Sequence, residues 1–134
     1  MPRPLAFGDW IENGGALGYP TADDLAYHLT MLFPPVRPRG WFEIRYLDAL
    51  PSPWWEVATR VVTALLRDGV VDDTLRAVVG TEHLWGDAAA HGLEDDRLAV
   101  AADRCFALAA AVTDHAAVAD YAAHYVSRRL PAWA

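Results

Sequence analysis

A chain of 134 residues has the size of one ordinary domain, and its 54% apolar content supplies a core that a disordered chain would lack. Eleven basic residues against eighteen acidic ones leave a formal charge of −7, which argues against a general nucleic-acid partner or an anionic-membrane surface. The single cysteine, Cys105, excludes an internal disulfide and a cysteine-rich metal site, and fits a reducing cytoplasm. All eleven basic residues are Arg. No stretch reaches the roughly 18 consecutive apolar residues of a membrane helix. The start, Met1-Pro2-Arg3-Pro4, lacks the apolar core of a signal peptide.

The first predicted element is a short helix from Phe7 to Glu12, broken by Asn13-Gly14-Gly15. Trp10 and Ile11 on it are candidates for uncovered apolar surface. Thr21 is a good N-cap for a second helix, with Asp23 and Asp24 in the first turn where acids favour the helix dipole. That helix is expected to reach about Phe33, where Pro34-Pro35 stops it. Leu25, His28, Leu29 and Leu32 fall on one apolar stripe. His28 on that stripe reads as a hydrogen-bonded core residue, with helping to position the neighbouring strand as its functional alternative.

A strand is expected from about Trp41 to Leu47. Extended backbone alternates side chains between faces, so Arg37, Arg39, Trp41, Glu43 and Arg45 share one face, and Phe42, Ile44 and Tyr46 share the other. The second face suits packing on a core. The first gathers three guanidiniums around one carboxylate, and cations held together are costly unless something anionic answers them. A ligand with carboxylate or phosphate oxygens, which arginine grips in bidentate geometry, is the simplest answer. The plain reading is an exposed face with one Arg39–Glu43 or Glu43–Arg45 pair.

Beyond residue 52 the pattern is helical. Ser52 is placed to cap, Pro53 stands at a first helical position, and Gly69 closes the element. Trp54, Val57, Ala58, Val61, Val62, Leu65 and Leu66 form its broad apolar face. A short helix follows from Asp72 or Asp73 to Val79, another from Thr81 to His91, closed by Gly92, a long one opened by Glu94-Asp95-Asp96, and a last one from about Ala116 to Arg129. Cys105 lies inside the long helix's apolar stripe and reads as a small core residue. His83, His91, His115 and His124 lack ligand spacing. The expected fold is α+β and helix-dominated, with a strand or two ahead of about four to six helices. It divides into 1–52, which carries the Arg-rich strand, and 53–134, a helical buttress, within a single domain or domain fragment.

The run from His28 to Asp48 reads His-Leu-Thr-Met-Leu-Phe-Pro-Pro-Val-Arg-Pro-Arg-Gly-Trp-Phe-Glu-Ile-Arg-Tyr-Leu-Asp. It resembles the plant-type glutamate–cysteine ligase family. The family's word is roughly His-Leu-Thr/Ser-x-x-Phe-Pro-x-Val-Arg-x-Arg-x-x-x-Glu-x-Arg-x-x-Asp, matched here without a gap, and the actinobacterial branch serving ergothioneine is the most similar. A weaker likeness extends through Trp54 and the helices toward Arg128-Arg129.

The resemblance implies the C-terminal portion of a glutamine-synthetase-like carboxylate–amine ligase domain, with the strand in an antiparallel sheet buttressed by helices. It implies that Glu43 ligates Mg2+ bridging ATP phosphates, and that Arg37, Arg39 and Arg45 contact L-glutamate or the transferred phosphoryl group. Asp48 is implied as a partner orienting Arg45, and His28 as a support of the strand. L-cysteine is the implied amine acceptor. The family's chains are much longer, and this one corresponds to roughly their last third. The remaining metal ligands and pocket are then expected on a further segment, or on a separate chain, and turnover is not expected of these 134 residues alone. No Gly-rich phosphate loop or metal-spaced His/Asp cluster replaces them here. A non-catalytic helical module that binds a partner or small anion through the Arg strand is the competing reading; a small all-helical domain of other ancestry is the plainest one.

Overall fold

Apolar spacing of three and four residues along most of the chain gives helices, and the one Arg-rich stretch flanked by prolines gives strands. The computed structural model describes residues 5–131, which hold seven α-helices and one two-stranded antiparallel sheet. The architecture is α+β and helix-dominated, as expected. Met1-Pro2-Arg3-Pro4, read for a signal peptide, lies outside the described residues. Among the described residues no helix is long and apolar enough to cross a membrane. The chain divides into two compact units after Leu47.

In the first unit, α1 spans Phe7–Asn13 and stops at the expected glycine break. The Trp10 indole N–H donates to the Gly18 carbonyl at 2.7 Å, fastening the following loop back to the helix. Helix α2 spans Ala22–Met31. Its start is a reciprocal cap: the Thr21 hydroxyl accepts from the Asp24 N–H, and the Asp24 carboxylate accepts from the Thr21 N–H. The helix ends two residues short of Phe33, because Pro34 disfavours helical backbone before it and Leu32 is already extended.

Of the strand or two expected, the next segment forms two, and the strand expected from about Trp41 to Leu47 is shorter than that. Two three-residue strands, β1 at Val36–Pro38 and β2 at Phe42–Ile44, pair antiparallel, with Val36 opposite Ile44, Arg37 opposite Glu43 and Pro38 opposite Phe42. Gly40 lies in the connection at φ +84°, a conformation L side chains rarely adopt and glycine adopts freely.

No described residue between 5 and 47 is buried. The expectation that Phe42, Ile44 and Tyr46 pack on a core is therefore overturned: Phe42 is 78% exposed and Tyr46 51%. His28 is half-buried and is not a core residue; its ring stacks on Phe7 at 4.6 Å. Alternation correctly separates two faces of an extended segment, but it does not say what covers the apolar one.

The core sits in the second unit. A turn with the Trp54 N–H donating to the Pro51 carbonyl precedes α3, Trp55–Leu65, so the Ser52 cap is not formed. Then come α4 (Val71–Val78), α5 (Trp85–His91), a 3₁₀ turn at Gly92–Glu94, α6 (Asp96–Val112) and α7 (Ala116–Tyr121). A wider π-type turn, Ala122–Val126, extends α7. Asp95 caps α6, its carboxylate accepting from the Arg97 N–H. Val57, Val61 and Ala64 of α3 meet Ala109 of α6 and Val118 of α7, each buried. The small alanines let the helices approach closely. Trp54 packs against this core edge-on to Tyr121 and Tyr125, the structural role expected of it, whereas Trp55 is 58% exposed. Cys105 is half-buried.

Candidate active-site hairpin

The hairpin achieves across two strands what the sequence suggested along one. Glu43 sits at the middle of β2 with Arg37 directly opposite on β1. Arg45 lies two residues on and so points to the same face. Arg39 arrives from the connection. The Arg37 guanidinium is 3.8 Å from Glu43 Oε2, that of Arg39 is 3.9 Å from Oε2, and that of Arg45 is 3.9 Å from Oε1. One carboxylate thus serves three cations, and the cluster carries a net charge of 3 − 1 = +2 on a chain whose formal charge is −7. The plain expectation of a single ion pair falls short of this arrangement.

None of the three approaches is at hydrogen-bond distance. Glu43 draws the three guanidiniums together by charge, without a hydrogen bond to any of them. Other contacts steer each arginine. The Arg37 guanidinium donates weakly to the Leu32 carbonyl at 3.4 Å. The Arg45 backbone N–H donates to the Pro35 carbonyl at 2.8 Å, and its guanidinium lies 5.2 Å above the Phe33 ring, a cation–π placement. Phe33 as a support for Arg45 is a feature that strand alternation misses; its place just after the helix and before two prolines was the available signal.

Arg37 and Arg39 also line a cleft of about 470 Å³ whose other walls are Leu29, Thr30, Leu32, Pro34 and Pro38. Apolar walls with two guanidiniums at one side suit an amphipathic anion. His28 lines a different cleft, with Phe7, Trp10 and Asp24. Asp48 is exposed and opens the second unit. The hairpin therefore brings together Arg37, Arg39, Glu43 and Arg45, while His28 stands on α2 away from that cleft's lining.

Among the described residues, no three His, Cys, Asp or Glu side chains are grouped to hold a metal ion. Glu43 by itself supplies one hard oxygen donor of the kind Mg2+ takes, and Mg2+ ordinarily uses only one or two carboxylates beside phosphates and water. The residue fits as a single ligand in a shared site.

Comparison with known proteins agrees with the motif. The model of glutamate–cysteine ligase family 2 (GCS2) matches residues 8–129. The chain is 47% identical over 109 residues to the glutamate–cysteine ligase EgtA of Mycobacterium tuberculosis H37Rv, covering 79% of this chain and 25% of the relative. It is equally similar to the glutamate–cysteine ligase EgtA of Mycolicibacterium smegmatis, covering 26% of that protein. The chain thus spans about a quarter of the length of these relatives. No solved structure matches. With the Arg–Glu hairpin in place and the family's model covering most of its length, this chain belongs to glutamate–cysteine ligase family 2.

Proposed function

We propose that this chain supplies the arginine–glutamate hairpin of a glutamate–cysteine ligase active site. In the proposed reaction ATP transfers its terminal phosphoryl group to the γ-carboxylate of L-glutamate. The amine of L-cysteine then attacks the acyl phosphate and expels phosphate, leaving γ-glutamylcysteine and ADP. The observation that carries the reading is the convergence of Arg37, Arg39 and Arg45 on Glu43 with an uncompensated charge of +2. Phosphoryl transfer gathers negative charge on equatorial oxygens, and positioned cations are the main thing a protein must provide there.

Arg37 and Arg39, which line the cleft, are assigned to the substrate carboxylate or the phosphoryl oxygens. Arg45, braced on Phe33, presents a fork whose direction is set before the ligand arrives. Glu43 has two roles in this scheme: it keeps the guanidiniums from repelling one another, and it offers one oxygen to Mg2+. When bound, the ion supplies charge neutralisation between the phosphates. The further acids such a site needs would come from the part of the ligase that this chain does not span. Ergothioneine or a related thiol is the proposed end of the pathway, and the half-buried free thiol of Cys105 suits a reducing cytoplasm.

The test is a hybrid in which this chain replaces the matched segment of the M. smegmatis EgtA. It should form γ-glutamylcysteine with ATP, glutamate and cysteine, detected by mass spectrometry, and Arg39→Ala should abolish the product. A folded hybrid that makes no product would overturn the assignment and leave the anion-binding module in its place.

A further inference from the structure

A second cleft, of about 370 Å³, is walled by residues of α1 and α2 and shares no lining residue with the one beside Arg37 and Arg39. Four of its walls are aromatic rings: Phe7 and Trp10, three residues apart on α1, and Tyr27 and His28 on α2. Asp24 and Met31 complete the α2 stripe, since residues three, four and seven apart along a helix share a face. Contacts within the protein hold these groups in place. Phe7 meets Trp10 edge-on at 5.5 Å and stacks on His28 at 4.6 Å. The Trp10 indole is fixed further by its bond to the Gly18 carbonyl. The Asp24 carboxylate accepts from the Thr21 N–H at 2.8 Å and from the Thr21 hydroxyl at 2.7 Å. Both bonds fall on Oδ2, so Oδ1 has no partner among the described residues.

The two helices carry formal charge of one sign at neutral pH. From Leu5 to Val36 the chain has no Arg and no Lys, and it has four acids, Asp9 and Glu12 on α1 and Asp23 and Asp24 on α2. An anion is repelled here, whereas a cation is drawn in by charge and met by the negative faces of the rings. The kind of cation follows from the acceptors on offer. A primary ammonium brings three N–H donors to satisfy, and the lining has one carboxylate, one phenol and one imidazole beside its rings. A fully methylated ammonium needs no acceptor and gains from each ring it touches. We propose that the cleft between α1 and α2 binds a small methylated ammonium compound, with Asp24 as counter-ion and Phe7, Trp10 and Tyr27 as an aromatic cage. Met31, 52% exposed, offers a polarizable contact for the apolar remainder of the ligand. The proposal does not need the ligase reading, because no residue of the arginine hairpin takes part in it.

NMR titration of the 134-residue chain tests this with choline as the probe. The controls are ethanolamine and the neutral isostere of choline in which carbon replaces nitrogen. Choline should shift the Trp10 indole N–H and Tyr27 ring signals saturably, with a Kd on the order of 1 mM. Tyr27→Ala removes a ring that is 67% exposed, so the fold should stand while choline binds about tenfold more weakly. Asp24→Asn keeps an oxygen for the cap, removes the charge, and should weaken choline by a similar factor. Both controls should bind about tenfold more weakly than choline, or not at all. Equal binding of choline and its neutral isostere would overturn the proposal, as would ethanolamine binding as tightly as choline. So would choline binding that neither substitution alters, or the lack of any choline shift in the folded chain. The same titration on the EgtA hybrid separates a free ligand from a side chain of the ligase. Choline shifts that persist there support the site; shifts lost there mean that the ligase's own polypeptide fills the cleft, and the proposal falls.

Discussion

Arg37 stands directly across the antiparallel ladder from Glu43, with guanidinium and carboxylate 3.8 Å apart. Arg39 and Arg45 approach the same carboxylate. Exposed pairs of this kind contribute no more than about 1 kcal/mol each to stability. Glu43→Gln should therefore leave the urea midpoint of the chain nearly unchanged while raising the local charge from +2 to +3. In the EgtA hybrid the same change should lower turnover by on the order of 100-fold, because both metal ligation and arginine alignment are lost. Measuring the two together separates a site residue from a structural one.

Arg45→Lys keeps the charge and removes the planar fork that lies over Phe33. In the hybrid, kcat/KM should fall about tenfold or more, ~1.4 kcal/mol of transition-state stabilisation. Near-normal turnover of that variant would take Arg45 out of the site.

Gly40→Ala tests the connection between the strands. An added Cβ meets nothing within 4 Å, so the cost is that of the backbone conformation at φ +84°, about 1–2 kcal/mol. The expected outcome is a loosened hairpin, seen as a weakened α-proton contact between the facing residues Val36 and Ile44 in an NMR spectrum.

Core and hairpin should respond differently to truncation. Leu84 is 2% exposed, and Leu84→Ala should cost about 2–4 kcal/mol in chemical denaturation. Phe42→Ser, at a residue 78% exposed, should change the stability of the isolated chain by less than about 0.5 kcal/mol.

The pH dependence has two sides. Burial raises the pKa of Cys105, and burial together with Tyr125 raises that of Tyr121. An acid with a raised folded-state pKa contributes fully below its unfolded pKa and loses that contribution as pH rises through the folded value, so both weaken the fold on the alkaline side. Alkylation of Cys105 near pH 8 should be slower than that of free cysteine and should reach the free rate in denaturant. Asp24 is lowered by hydrogen bonds from Thr21, and Asp95 chiefly by the Arg97 side chain. Their contributions are present above the ordinary carboxylate range and are lost on acidification through the folded values. The first turns of α2 and α6 should then be the first to show faster amide exchange.

The helices were legible where punctuation is chemical. Thr21, Asp24 and Pro34 mark α2, and Asp95 marks the start of α6, because caps and prolines act within a few residues of the chain. The company kept by Arg37, Arg39, Glu43 and Arg45 was legible too, but its geometry was not. A reversal at Gly40 and a continuous strand leave similar alternation, and only pairing across the ladder tells them apart. The solvent exposure of Phe42 and Leu25 was illegible for a different reason: periodicity defines a face and leaves its cover unspecified. Ser52 failed as a cap because the turn from Pro51 to Trp54 moves the helix start beyond its reach.

The absence of buried residues between 5 and 47 has a calorimetric consequence. Unfolding enthalpy and heat capacity scale with the surface a chain withdraws from water, near 0.7 kcal/mol per residue for ordinary globular proteins at about 60 °C. The first unit withdraws little. Heating this chain alone should absorb less heat per residue than its length implies, with the transition reporting the helices after Leu47. Substitutions around the arginines would pass through such a scan unseen, and screening them by melting temperature would call every one of them neutral.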